Sequence, residues 1–217
     1  MSQQKRFLVF FSLVALFAVF CHSQQQDTSG VKYGKVYVSG ENPVLRLGLK
    51  QGEPFLTSVS FWRIVYSPAG MGHVCYVTSD VTGNGKSPDD IRAVFTDNEK
   101  LLEFMNKEIT TSAKDNAYPV RKAHFAKTGD SLKEWVEVVQ SDDCTIVLIW
   151  KEFIEPFCVD TPIGGERPFG ISSLCIPAKK AEVYINGVKA MGQPIPEMRG
   201  KMQNSSARLW LSETWVK

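Results

Sequence analysis

Carboxylates are the residues of this sequence best suited to acid–base chemistry. Glu152, Glu155 and Asp160 follow a strongly apolar run and lie close together in the chain. A glycosidase needs two carboxylates about 5 to 9.5 Å apart, so this cluster is a candidate for a hydrolase or cyclase. Asp142 and Asp143 form another acidic pair, which we interpret as a turn because aspartate bonds local backbone there. The sequence contains no H-E-x-x-H, G-x-S-x-G or P-loop motif, so we assign no catalytic residue.

Calcium is the metal that one short segment predicts. Oxygen-bearing side chains stand at Asp80, Thr82 and Asn84, followed by a glycine where a calcium loop bends. In these residues the segment resembles the opening of the calcium loops of EF-hand and dockerin modules, which implies a calcium site completed by Asp90. The position of the usual last carboxylate is Ile91, one residue beyond Asp90. A Gly- and Asn-rich turn before a capped helix explains the same residues, and both interpretations stay open.

Tryptophans offer a different kind of site. All five lie in predicted strands, and most of them are expected in the core. Aromatic-lined β-proteins hold apolar ligands or present rings to sugars, so Trp62, Trp135, Trp210 and Trp215 are candidate ligand contacts. Trp210 and Trp215 are five positions apart on the last predicted strand. Strict alternation therefore predicts that these two rings point to opposite faces.

The first 23 residues have the pattern of a secretory signal peptide. Lys5 and Arg6 precede the apolar run 7–20, which is too short for a membrane-spanning helix. Residues 24–217 are predicted to form one secreted, extracellular domain, with a division near Tyr118 as the alternative. Loss of the two signal cations lowers the formal net charge from +2 to 0. A neutral chain argues against a nucleic-acid partner, because such proteins need a basic excess.

Secretion makes disulfides an expected feature. Cys75, Cys144, Cys158 and Cys175 follow the signal, and an even number in an oxidising compartment predicts up to two disulfides. The Gly- and Pro-rich loop between Cys158 and Cys175 favours that pair, which leaves Cys75 with Cys144. Four buried thiols are the alternative. Asn204 begins the only glycosylation sequon, in a polar stretch expected to be exposed.

The hydrophobic pattern predicts a mostly β protein with a minor helical insertion. Period-two alternation indicates about ten strands, including a hairpin within Lys133–Trp150 and another turning at Asn186 and Gly187. Ser87 and the proline after it have the pattern of a helix start, so helices are predicted over roughly 88–109. Strands in such excess over helices favour an antiparallel sandwich or barrel.

Two functions remain open from the sequence. The first is a secreted binding or extracellular-matrix protein whose aromatic residues hold an apolar small molecule, a carbohydrate or another protein. The second is a secreted enzyme, hydrolase or cyclase-like, that uses the carboxylates of the segment 152–160. No cofactor is implied apart from calcium.

Overall fold

The part of the chain that the structure describes folds into many short strands and one helix. A computed structural model describes residues 34–109, 118–130, 133–161, 163 and 169–217. The predicted signal peptide lies outside these residues. The elements are β1 (Val36–Glu41), β2 (Val44–Leu47), β3 (Thr57–Tyr66), β4 (Gly72–Ser79), β5 (Ile91–Thr96), α1 (Glu99–Glu108), β6 (Val120–Lys122), β7 (His124–Asp130), β8 (Glu134–Gln140), β9 (Thr145–Phe153), β10 (Phe157–Thr161), β11 (Gly170–Ile185), β12 (Val188–Lys189), β13 (Pro196–Arg199), β14 (Met202–Ser205) and β15 (Ala207–Val216).

Thirteen strands form one large mixed sheet in the described part of the chain. Its main order is β6-β5-β4-β3-β1-β15-β11-β9-β8-β7, and β2, β10 and β12 pair at its sides. Neighbouring strands are antiparallel except β5 and β6, which are parallel. The two ends of the order, β6 and β7, are joined through Ala123 alone. The sheet therefore brings its first and last strands together at one point of the chain.

One face of this sheet surrounds the main core. Its buried side chains come from strands at both ends of the order, such as Phe95 on β5 and Trp135 on β8, together with Leu148 and Trp150 on β9. Side chains from the first and last strands can share one cluster only if the sheet curls around it, because a flat sheet would hold its end strands apart. The mostly β fold with a minor helix is thus confirmed. The core draws side chains from both sides of residue 118.

The helical insertion begins later than predicted. The sequence pattern predicts a short helix that ends at Phe95, but the segment Ile91–Thr96 forms β5 between β4 and β6. The Ser87 hydroxyl and the Asp90 carboxylate do accept backbone N–H groups, yet they close only a single turn. Helix α1 starts after Asn98, whose side chain accepts the Leu101 N–H at 3.1 Å. None of the described residues forms a helix long and apolar enough to cross a membrane.

The predicted disulfide between Cys158 and Cys175 is wrong. Cys175 is a buried free thiol. In the pairing of β10 with β11, Cys175 lies opposite Phe157, whereas Cys158 lies opposite Leu174. Successive residues of a strand point to opposite faces, so the two cysteine side chains cannot meet across this ladder.

The predicted disulfide between Cys75 and Cys144 does not form either, because both are buried free thiols. Cys75 lies within electrostatic reach of Glu137. Glu137 in turn is opposite Leu148 on β9. Leu148 is four residues beyond Cys144 in the chain, or roughly 13 Å of extended chain. Both cysteines belong to the main core but occupy different parts of it.

These three thiols are expected to be unreactive in the native protein. Burial raises the pKa of Cys175 to about 12 and also raises the pKa of Cys75 and of Cys144, so the nucleophilic thiolate is scarce. We expect iodoacetamide to modify all three in denaturant and none of them at neutral pH under native conditions. Peptide mass spectrometry after both treatments measures this, and equal labelling of Cys175 in the two states would contradict its burial.

Candidate functional site

A cleft of about 220 Å³ lies on the outer face of the sheet, away from the main core. Trp62 on β3 and both Trp210 and Trp215 on β15 line it. The apolar side chains of Val159 and Ile171 complete its wall. Its polar lining comes from five further residues, Asn42, Thr161, Ser173, Arg199 and Glu213. Three of the four tryptophans predicted as ligand contacts therefore converge on one cleft.

A β-bulge in β15 creates this convergence. Leu211 pairs with Leu174 and Thr214 pairs with Ser172, so β15 holds one residue more than β11 between these pairs. Ser212 takes up the extra length with a φ of 51°. The added residue reverses the alternation, as bulges do. The prediction that Trp210 and Trp215 face opposite sides is therefore wrong, because both line the cleft.

The same bulge places a carboxyl group in the cleft wall. Glu213 is only 7% exposed, and its Oε1 accepts a hydrogen bond of 2.7 Å from Trp215 Nε1. Burial raises the pKa of Glu213 to about 7, although the Trp215 bond lowers it. At neutral pH this side chain is therefore partly protonated, when it can donate a hydrogen bond, and partly ionised.

Trp62 provides a donor that the fold leaves unused. Its side chain is 5% exposed, and its ring meets the Trp215 ring edge to face at 6.3 Å between centroids. No group among the described residues accepts the buried Trp62 indole N–H. A buried donor without an acceptor costs about 1–3 kcal/mol. A ligand oxygen at this nitrogen would recover that free energy.

Comparison with protein-family models, with curated proteins and with solved structures gave no significant match. The site is therefore interpreted from its own chemistry. It combines three indole rings with one titrating carboxyl and one unused N–H donor. Rings with flanking polar groups suit a small ligand that has both an apolar face and oxygen atoms.

The fourth predicted tryptophan belongs to a different polar cluster. Trp135 Nε1 donates to Glu137 Oε1 at 2.8 Å, and Glu137 Oε2 accepts from Arg63 Nη2 at 2.6 Å. Arg63 also bonds Glu41, at 2.5 Å. The Glu137 side chain is fully buried, and this burial raises its pKa against the opposing effect of Arg63 and Trp135. We interpret the cluster as a bridge across the core between β1, β3 and β8.

His73 on β4 extends the Arg63 cluster. His73 Nδ1 lies 2.6 Å from Asp97 Oδ2, and Arg63 Nε donates to His73 Nε2 at 3.3 Å. The Phe125 ring stacks on the imidazole at 4.7 Å. Nothing in the spacing of these residues along the chain indicates the cluster, because its members come from five strands, β1, β3, β4, β7 and β8, and from the turn before α1.

The predicted calcium loop uses its oxygens to hold its own backbone. Asp80 accepts the N–H groups of three later loop residues at 2.7–3.1 Å. Asp90 accepts those of Val81 and Ser87, and Asn84 accepts one more. The described residues include no group of three or more His, Cys, Asp or Glu placed to hold a metal ion. Calcium at Asp80, Thr82, Asn84 and Asp90 stays a prediction, and the loop has a structural explanation without it.

The carboxylates proposed for catalysis do not come together. Glu152 forms an exposed ion pair with Lys180. Glu155 borders a separate cavity beside Lys201. Asp160 lies between Val159 and Thr161, which both line the tryptophan cleft, so alternation turns its side chain to the other face.

Asn204 is less accessible than its sequence context suggests. The expectation of an exposed sequon is wrong, because the side chain is 6% exposed. Its amide lies 3.5 Å from Glu197 Oε2 and 3.9 Å from the Cys175 sulfur. Glycosylation at Asn204 stays a prediction, and this burial does not support it.

Proposed function

We propose that the protein is a secreted binding protein that holds a small carbohydrate in the tryptophan cleft. The observation that carries this proposal is the convergence of Trp62, Trp210 and Trp215 around polar groups that have bonding capacity left. Sugars present an apolar ring face to indoles and hydroxyl groups to hydrogen-bonding side chains. The cleft offers both kinds of surface within one cavity.

Size and polarity favour a sugar over a purely apolar ligand. The cleft of about 220 Å³ is smaller than the roughly 300–1,000 Å³ of pockets for drug-sized molecules, so we expect it to take about one sugar ring. An apolar ligand would leave Glu213 and the Trp62 N–H without partners in a dry site, which costs free energy. Hydroxyl groups satisfy them.

Binding is also better supported than catalysis. Glu213 is the only carboxylate among the described residues that line the cleft. Glycoside hydrolysis generally needs two carboxyl groups facing the same bond. The enzyme alternative relied on the segment 152–160, whose acidic side chains lie apart from one another.

The proposal predicts that Trp62→Phe weakens sugar binding about tenfold, because the ring is kept while the unused donor is lost. Tryptophan fluorescence and saturation-transfer NMR measure binding of D-glucose, D-galactose, D-glucuronate and D-galacturonate. Trp135→Phe is the matched control, since it removes an indole N–H from the Arg63 cluster and leaves the cleft intact. We expect this control to bind as the unmodified protein does.

Two results would overturn the proposal. One is the failure of all four sugars to bind folded protein at millimolar concentration. The other is equal loss of binding in Trp62→Phe and Trp135→Phe, which would place the sugar elsewhere. Near-ultraviolet circular dichroism confirms that each variant is folded before binding is measured.

A further inference from the structure

Arg199 is a cation at the cleft that the fold does not neutralise. It lies on β13, with its guanidinium carbon 5.7 Å from the centroid of the Trp210 ring. No carboxylate among the described residues lies within ion-pair distance of Arg199, whereas the nearby Arg208 bonds Glu197 at 2.5 Å. An arginine fork binds a carboxylate through two parallel hydrogen bonds. Arg199 is therefore available to an anionic group of a ligand.

Arg199 and Trp62 give the cleft an excess of N–H donors over the partners that the described residues offer to them. Arg199 and the Trp62 indole supply N–H groups that the described residues do not satisfy, whereas Ser173 already donates to the Leu211 carbonyl. Among the acceptors, Glu213 already receives a hydrogen bond from Trp215 at one of its two oxygens. A ligand rich in acceptor oxygens, with a negative charge near Arg199, matches this excess.

Glu213 and Arg199 do not neutralise each other. Among the described residues, burial and the Trp215 hydrogen bond act on the Glu213 carboxyl, and no cation does. Cys175 is a titratable group close to both of them. Other charged groups on the surrounding elements are paired elsewhere or point away from the cleft, namely Glu41, Arg63, Asp160, Glu197 and Arg208. An anion entering the cleft therefore meets Arg199 as an attractive charge and Glu213 as the repulsive one.

We propose that the cleft selects acidic sugars, with Arg199 binding the ligand carboxylate and Glu213 taking up a proton from solvent as the complex forms. This inference rests on the proposed sugar-binding function and adds the charge of the ligand. Protonation removes the repulsion between two carboxylates and makes Glu213 a donor to a sugar oxygen. Acidic conditions therefore strengthen binding of an acidic sugar and leave binding of a neutral one nearly unchanged.

The test compares D-glucuronate with D-glucose at pH 6 and pH 8 by isothermal titration calorimetry on the full secreted protein. We expect glucuronate to bind at least about tenfold more tightly than glucose at pH 6, and to lose about tenfold in affinity at pH 8. Arg199→Gln should abolish the preference for glucuronate, and Glu213→Gln should abolish its pH dependence. Lys201→Gln is the control, because Lys201 is a cation of the same hairpin that borders the other cavity.

The outcomes separate this inference from the function on which it rests. Equal affinity for glucose and glucuronate, or an unchanged preference in Arg199→Gln, overturns the acidic-sugar inference while sugar binding stands. A glucuronate affinity that does not change between pH 6 and pH 8 overturns the role of Glu213. Failure of both sugars to bind, and of D-galactose and D-galacturonate as well, overturns the proposed function itself. Arg199 is exposed, so its substitution leaves the folded protein available for measurement.

Discussion

Arg63→Ala is expected to lower the free energy of unfolding by about 3–5 kcal/mol at pH 7. The guanidinium bonds Glu41 and Glu137, and the Glu137 side chain is fully buried. Removing Arg63 leaves the Glu137 carboxylate with the Trp135 N–H as its direct partner in the core. A buried charge that has lost its ion-pair partner is costly, and that cost is the source of the predicted loss.

The loss should also depend on pH. Burial raises the pKa of Glu137, and Arg63 opposes that rise, so the variant should bind a proton at Glu137 more readily. A carboxyl with a raised folded-state pKa weakens the fold as pH rises. The effect of Arg63→Ala is therefore expected to be larger at pH 8 than at pH 5. Urea denaturation at both values, followed by fluorescence, measures it.

Arg121→Ala provides the matched comparison. Arg121 pairs at 3.2 Å with Asp143, whose side chain is 65% exposed, and such surface pairs contribute about 0–1 kcal/mol. Adding Glu137→Gln to Arg63→Ala should restore part of the lost stability, because the buried charge is then absent. The bridging role would be refuted by an Arg63→Ala protein no less stable than Arg121→Ala.

Glu213→Gln is expected to remove a large part of the pH dependence of stability. Glu213 is 7% exposed as a residue, and the pKa of its carboxyl rises from 4.5 to about 7 on folding. The folded state then holds a proton that the unfolded chain releases between these values. Stability from this group is complete below pH 4.5 and falls as pH rises to about 7, by roughly 3 kcal/mol in total.

The measurement is the free energy of unfolding of both proteins between pH 4 and pH 8. As pH rises from 4 to 8, we expect the free energy of unfolding of Glu213→Gln to increase by roughly 3 kcal/mol relative to that of the unmodified protein. The difference between the two curves isolates Glu213, because Glu137 contributes in the same direction to both. Glu53→Gln, at a side chain 47% exposed, should leave the profile unchanged. Parallel curves for Glu213→Gln and the unmodified protein would show that this carboxyl titrates normally.

Local sequence patterns predicted much of the β structure. The hairpin predicted within Lys133–Trp150 forms as β8 and β9. The turn at Asn186 and Gly187 is confirmed, with φ values of 52° and 83° between the paired residues of β11 and β12. These features depend on neighbours in the chain, which a sequence shows directly.

Predictions from local sequence patterns were wrong where contacts with residues distant in the chain determine the structure. Ser87 and its following residues resemble a helix start, but the segment Ile91–Thr96 gains more by pairing with β4 on one side and β6 on the other. The disulfides failed for a similar reason. In the register that pairs β10 with β11, the side chains of Cys158 and Cys175 point to opposite faces of the sheet. The composition of the loop between these cysteines does not reveal this register.

The sequence by itself determined the mostly β class, and it nominated Trp62, Trp210 and Trp215 as ligand contacts. Only the tertiary structure brought these rings together, because a single extra residue at Ser212 reverses the alternation of β15. The same bulge buries Glu213 and sets its pKa near 7. Alternation is a local property that sequence carries, whereas a bulge depends on the register with partner strands, and that register exists only in the folded sheet.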